Sequence, residues 1–268
     1  IMINLLDEIE KVRSEGYNEA NAEARICQDI ILCGIANSSL NRNVTIKGGV
    51  VMRNLSKDAR RATQDIDMDF LKYSISDDAI KLFISRIQPG DGIILELMEP
   101  IIELKHQDYR GKRVFVKIID AEGNELDSKI DIGVHKDLDI QQEEYCFDIC
   151  FQEDSVSLLM NSCEQILTEK IKSFLRFGTR STRYKDIFDI FYLSERVNVE
   201  KLKQCIQRFI YEDDTLPVKS SADIGKRMTA VLTNERFIQS VKKSKKNWTD
   251  TETEKVLKRC LDFIHILT

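Results

Sequence analysis

Five residues in the first half of the chain have the types and spacing for phosphate and metal chemistry: Gly48 and Gly49, then Asp65 and Asp67, then Asp131. The glycine pair follows the β-branched run Val44-Thr45-Ile46, which reads as a strand ending in a turn where the backbone can approach a ligand with no Cβ in the way. Residues 50–55 then read as a helix starting at that turn. Its unpaired N–H groups and the positive end of its dipole would face an anion. If residues 63–70 form a strand, alternation puts Asp65, Asp67 and Asp69 on one face and packs Ile66, Met68 and Phe70 inward on the other. Carboxylates two residues apart on a strand stand roughly 7 Å apart at their Cα atoms, within reach of a metal pair spaced about 3.5–4 Å. Asp131 faces away from Ile130, Ile132 and Val134 in a later β-rich run and supplies a third carboxylate.

That set matches what nucleotidyl transfer needs: carboxylates for two Mg²⁺ ions, a backbone cradle for a triphosphate, and basic side chains for the charge left on pyrophosphate. Gly48 and Gly49 would hold the β- and γ-phosphates of a nucleoside triphosphate, and Asp65 and Asp67 would bridge the metals. Asp131 would complete the metal shared with the attacking hydroxyl and take its proton. A calcium loop is the main competitor, since Asp65-x-Asp67-x-Asp69 fits the first ligand positions of an EF-hand. It fails because Phe70 stands where the loop requires glycine. Three solvent-facing aspartates on a sheet edge would leave the glycine pair and Asp131 unaccounted for. Asp69 lies one pleat further along and is left out of the site, and Thr63 reads as a local backbone cap. His106, His135 and His265 lack partners at ligand or triad spacing, and Phe188, Phe191 and Tyr192 have the helical spacing of a core stripe.

The elements that position these residues fall into two sets. Helical patterns at 5–12 and 21–36 precede the glycine turn, and another follows at 77–87. After the break Gln88-Pro89-Gly90-Asp91-Gly92 come β-rich runs at 93–97, 101–104, 114–119 and 129–134, a meander continuing the first sheet. From about Ser155 the pattern is helical, with helices at 166–175, 187–193, 199–211, 224–242 and 252–267. The expected fold class is α+β: a mixed β-sheet with flanking helices over residues 1–154, then a helical bundle over 155–268.

Composition narrows the setting. A chain of 268 residues with 42% hydrophobic and 32% charged residues and three prolines can be ordered almost throughout. Seven cysteines without a CxxC pair read as buried thiols in a reducing, cytoplasmic compartment. No segment reaches the roughly 18 apolar residues of a membrane span. The net charge of −5 does not itself point to nucleic acid, but Arg176, Arg180, Arg183 and Lys185 form a basic group, and Lys242, Lys243, Lys245 and Lys246 another. Arg180, Arg183 and Lys185 are the candidate phosphate or RNA contacts. The lysine run reads as a solvated face.

The succession I-K-G-G-V-V-M, R-R-A-T-Q-D-I-D-M-D-F, K-I-D-I, L-T-E-K and R-Y-K-D-I-F-D-I, across residues 44–193, resembles the AbiEii/AbiGii-type nucleotidyltransferase toxins of the DNA polymerase β-like superfamily. The resemblance implies a Mg²⁺- and NTP-dependent toxin of a bacterial toxin–antitoxin or phage-defence system, with a cognate antitoxin and an RNA acceptor such as a tRNA 3′ end. It puts Gly48, Gly49, Asp65 and Asp67 in the first motif and Asp131 in the second. Lys170 becomes the lysine of the third motif, a charge for a triphosphate oxygen, and Asp186 the aspartate of the fourth, which would orient it. The helical half is thereby expected to contribute to the site. Val50 departs from the pattern, since many such proteins carry a small hydroxyl residue there. Two other readings remain open: a non-catalytic nucleotide- or RNA-binding module, and transfer to a protein or small molecule.

Overall fold

The computed structural model describes residues 2–90, 92–104 and 111–268. It divides into two compact units, Ile1–Asn161 and Ser162–Thr268. His106 and Asp91 lie outside the described residues.

The first unit is α+β, as expected. Its helices are α1 (Leu5–Ser14), α2 (Glu19–Ala36), α3 (Gly48–Ser56) and α4 (Asp77–Arg86). Its strands are β1 (Val44–Lys47), β2 (Ile66–Phe70), β3 (Ile94–Leu104), β4 (Gly111–Ile119), β5 (Glu125–Val134), β6 (Glu143–Phe147) and β7 (Val156–Met160). They form one mixed sheet in the order β3-β4-β5-β2-β1-β7-β6. β1 is antiparallel to β2 and parallel to β7, and β2 is parallel to β5.

One face of this sheet carries the core. Ile66, Met68 and Phe70 of β2, Val114, Val116 and Ile118 of β4, and Ile130 and Ile132 of β5 are fully buried, with α2 against β5 and β7 and α4 against β3. Asn18 caps α2 by accepting from the Asn21 N–H, and Ser76 caps α4 by accepting from that of Ala79. Inside α2, the fully buried Asp29 accepts from Arg53 Nη2 of α3 at 2.7 Å and from the Cys150 N–H at 2.9 Å, tying α2 and the segment after β6 to the glycine-led helix.

Several expected boundaries move. The strand placed at 63–70 starts at Ile66, and the runs at 93–97 and 101–104 are a single strand whose register shifts between Met98 and Ile102, where Pro100 cannot donate to the ladder. Residues 155–161 are not helical. β7 pairs with β1 and β6 there, so the sheet unit extends to Asn161 rather than ending at 154.

The second unit is helical: α5 (Cys163–Phe177), α6 (Lys185–Ser194), α7 (Val199–Ile206), α8 (Ser221–Leu232), α9 (Glu235–Lys243) and α10 (Thr253–Leu267). Ser162 and Gln165 form a capping box that starts α5. The single helix expected over 224–242 is two, because Asn234 accepts from the Phe237 N–H and begins a new helix. Phe174 and Phe188 are buried in the core of this unit, and Tyr192 lies against Trp248 at 5.3 Å between ring centroids. Among the described cysteines Cys146 is exposed, which the expectation of buried thiols missed.

Candidate active site

The glycine turn lies where the sequence predicts, with its helix starting two residues earlier than expected. α3 begins at Gly48 itself, directly out of β1, and Lys47 at its N-cap position makes no capping bond with its side chain. The first N–H groups of α3 therefore lack a side-chain cap. Gly48 has φ +64°, and a Cβ there would lie 2.5 Å from Asp67 Oδ2. A Cβ on Gly49 would overlap the side chain of Thr63, 2.6 Å from its Cβ. The pair thus has an internal reason to be glycine: it lets the Asp67 carboxylate and Thr63 come against the turn. Thr63 is fixed by its carbonyl, which accepts from Nε2 of the fully buried Gln28 at 2.7 Å. Its hydroxyl caps nothing and has no hydrogen-bond partner among the described residues, so the backbone-cap reading does not hold.

Register places the carboxylates in rows across the sheet. Lys47, Asp67, Asp131, Arg113 and Ile102 are successive partners on β1, β2, β5, β4 and β3. The next row is Lys129, Phe115 and Met98, with Asp65 just before β2 reaching Lys129 Nζ at 2.8 Å. A third row holds Asp127, Lys117 and Glu96. Residues in register share a face, so all these side chains lie on the face opposite Ile66, Ile130 and Val114. Met98, Ile102 and Asp127 are exposed there. The expectation that Asp65, Asp67 and Asp131 share one face is met, with Asp67 and Asp131 as direct neighbours on parallel strands.

Asp65 and Asp131 are engaged by cations. Arg113 Nε and Nη2 donate to the two oxygens of Asp131 at 2.7 and 2.8 Å, a bidentate pair with Asp131 buried. Asp69 is buried and its Oδ1 lies 3.0 Å from Lys47 Nζ, which accounts for its absence from the site.

By donor chemistry the set fits Mg²⁺: hard carboxylate oxygens from Asp65, Asp67 and Asp131, beside a glycine whose missing Cβ leaves room at Asp67. What it lacks is convergence. Among the described residues no three His, Cys, Asp or Glu side chains gather as a ready metal cluster, and Asp131 and Asp65 face Arg113 and Lys129 instead.

In the helical unit, Lys170 of α5 is buried with its ammonium between two carboxylates of α6, 2.6 Å from Asp186 Oδ1 and 2.8 Å from Asp189 Oδ2. Arg183 Nε lies 2.7 Å from Asp186 Oδ2, a second cation on that carboxylate. Asp189, fully buried, also accepts from Trp248 Nε1 at 3.0 Å. Lys170 and Asp186 are thus brought together as expected. Arg180 and Arg183 are exposed and Lys185 half-buried, with Arg183 committed to Asp186.

Sequence reading missed Arg113, Lys129 and Asp189. Asp189 and Lys129 were legible, one three residues after Asp186 on the same helix face and the other two residues before Asp131 on the same strand face. Arg113 depends on the β4–β5 register, which spacing does not reveal.

A strand, a glycine turn and a helix thus stand beside carboxylates on neighbouring strands, the arrangement a nucleotidyltransferase needs. Residues 30–257 match the family described as "Nucleotidyl transferase AbiEii toxin, Type IV TA system", and the chain belongs to that family. None of the curated proteins matches it. Among solved structures it is similar to an antigenic nucleotidyltransferase-like protein from Paracoccidioides brasiliensis, at 18% identity and a TM-score of 0.44, over 79% of this chain and 97% of that one.

Proposed function

We propose that this nucleotidyl transferase toxin is Mg²⁺-dependent and moves a nucleoside monophosphate from an NTP to an acceptor hydroxyl on RNA, a tRNA 3′ end being the specific candidate. The observation that carries the reading is the register of Asp67 with Asp131 on adjacent parallel strands, with Asp67 against Gly48 at the head of α3. Asp65, Asp67 and Asp131 would hold the metal. When bound, Mg²⁺ would supply charge stabilisation at the phosphoryl oxygens and ease deprotonation of the attacking hydroxyl. The chain's own groups do the rest. The N–H groups of Gly48 and Gly49 bind triphosphate oxygens at the helix head, and a carboxylate oxygen of Asp131 receives the acceptor proton. The open sheet face bearing Phe115, Met98 and Lys129 gives an acceptor nucleotide an aromatic ring and a cation beside the carboxylates.

The motif match extends the proposal to Lys170 as a triphosphate charge, to Asp186 as the residue that orients it, and to Arg180, Arg183 and Lys185 as RNA contacts. The proposal also takes in a cytoplasmic setting, a role in phage defence and a cognate antitoxin as partner, supported by the family's toxin–antitoxin description. No described helix is long and apolar enough to cross a membrane.

Asp65→Asn and Asp67→Asn should each lower transfer by at least about 10²-fold, the worth of one electrostatic catalytic contact. Near-normal transfer in both variants would overturn the assignment. The cations on Asp65 and Asp131 favour a second reading, a binding module that holds a nucleotide or RNA without chemistry. Retained RNA binding with no metal-dependent pyrophosphate release in the wild type would select it. Label from NTP appearing in protein or a small molecule would replace RNA as the acceptor.

A further inference from the structure

Arg113 and Lys129 occupy lone pairs that a divalent ion would need. Arg113 reaches Asp131 across the β4–β5 register and takes both of its oxygens, at 2.7 and 2.8 Å. Lys129 stands two residues before Asp131 on β5 and takes Asp65 Oδ1 at 2.8 Å. An ionised carboxylate offers only acceptor sites, so each oxygen turned to a guanidinium or ammonium is in competition for a metal.

These pairs differ from the buried ones that hold the fold. In Arg53–Asp29 the side chains keep 4% and 0% of their exposure, and in Lys47–Asp69 6% and 9%. Arg113 and Lys129 keep 26% and 28%, on the open face of the sheet. Both are long side chains with water on one side, able to swing their charge off the carboxylate without stranding it in the core. Asp67 and Asp131 also lie side by side on strands spaced about 4.8 Å apart, so their charges repel unless cations stand beside them.

We propose that Arg113 and Lys129 are exchangeable counter-ions of the site: each neutralises its carboxylate while no metal is bound and yields it to an entering divalent cation. The proposal rests on Asp65, Asp67 and Asp131 being the metal ligands. It makes the two cations determinants of metal affinity, against which the ion must compete.

The test uses Mn²⁺ as the probe, with the full chain and no nucleotide, reading free Mn²⁺ by electron paramagnetic resonance. Lys129→Gln and Arg113→Gln should each bind Mn²⁺ about tenfold tighter than the wild type, the scale of one charge-assisted hydrogen bond lost to competition. Asp67→Asn should bind it more weakly. Unchanged or weaker binding in Lys129→Gln overturns the exchange at Asp65. Unchanged or weaker binding in Arg113→Gln overturns the exchange at Asp131, and should that variant fail to fold, Arg113→Met keeps the apolar stem without the charge and is read the same way. The two levels separate cleanly. Tighter Mn²⁺ binding in a protein that transfers no nucleotide overturns the functional reading alone, while normal transfer with unshifted Mn²⁺ affinity overturns the exchange alone.

Discussion

At the scale of single residues, the glycine pair is held in place from both sides. Gly48 faces the Asp67 carboxylate and Gly49 faces Thr63, whose carbonyl is fixed by a buried glutamine. A Cβ at Gly49 would meet Thr63 at its own Cβ, 2.6 Å away, an atom that moves only with the backbone. Gly49→Ala should therefore destabilise the first unit by about 1–3 kcal/mol, the usual cost of overpacking. Denaturant unfolding measures it, and an unchanged midpoint would mean that Thr63 moves freely. The glycines, Asp65, Asp67 and Asp131 were legible from type and alternation alone. Arg113 was not, because arginine on a strand carries no signal until a register pairs it with Asp131.

At the scale of elements, ion pairs set the stability of each unit. Asp29 joins α2 to the buried Arg53 of α3 and to the Cys150 N–H. Asp29→Ala leaves the Arg53 charge buried and uncompensated, so a loss of about 3–5 kcal/mol is expected in unfolding of the full chain. A loss below about 1 kcal/mol would show that water reaches Arg53.

In the helical unit, Asp213 shows the opposite exposure. Partial burial works to raise its pKa. Hydrogen bonds from Lys172 and from the Thr215 side chain and N–H outweigh that and hold it at about 2, against an ordinary 3.8. A depressed carboxylate contributes stability that is complete above its unfolded pKa and is lost as pH falls through the folded one. Asp213→Asn should thus lower the melting temperature at pH 5 more than at pH 3, and an equal difference at both would contradict the ion pairing. Element types were largely readable from periodicity, whereas β7 was not. Its short run Val156-Ser157-Leu158-Leu159-Met160 gives no clear period, and its strand form comes from pairing with β1 and β6.

At the scale of the whole molecule, the family spans both units, since its match runs over residues 30–257. The sheet unit carries the glycine turn and three carboxylates on one face, and the helical unit carries Lys170 between Asp186 and Asp189. If Lys170 serves the triphosphate, Lys170→Met should cut transfer by about 10²-fold while Mn²⁺ binding to the carboxylates is retained. Transfer at the wild-type level would confine Lys170 to holding α5 on α6. The order of the motifs along the chain made this division legible. The boundary at Asn161 was not, because it follows from sheet pairing rather than from composition.

We propose that register-paired aspartates beside a glycine turn make this toxin a metal-dependent nucleotidyltransferase. The most direct measurement incubates the protein with each α-labelled nucleoside triphosphate, Mg²⁺ and total RNA, following label in the RNA together with released pyrophosphate. Labelled RNA and stoichiometric pyrophosphate are expected in the wild type, both abolished by chelation and reduced at least about 10²-fold in Asp67→Asn. Transfer that survives chelation or Asp67→Asn, or no pyrophosphate from any triphosphate, would contradict it.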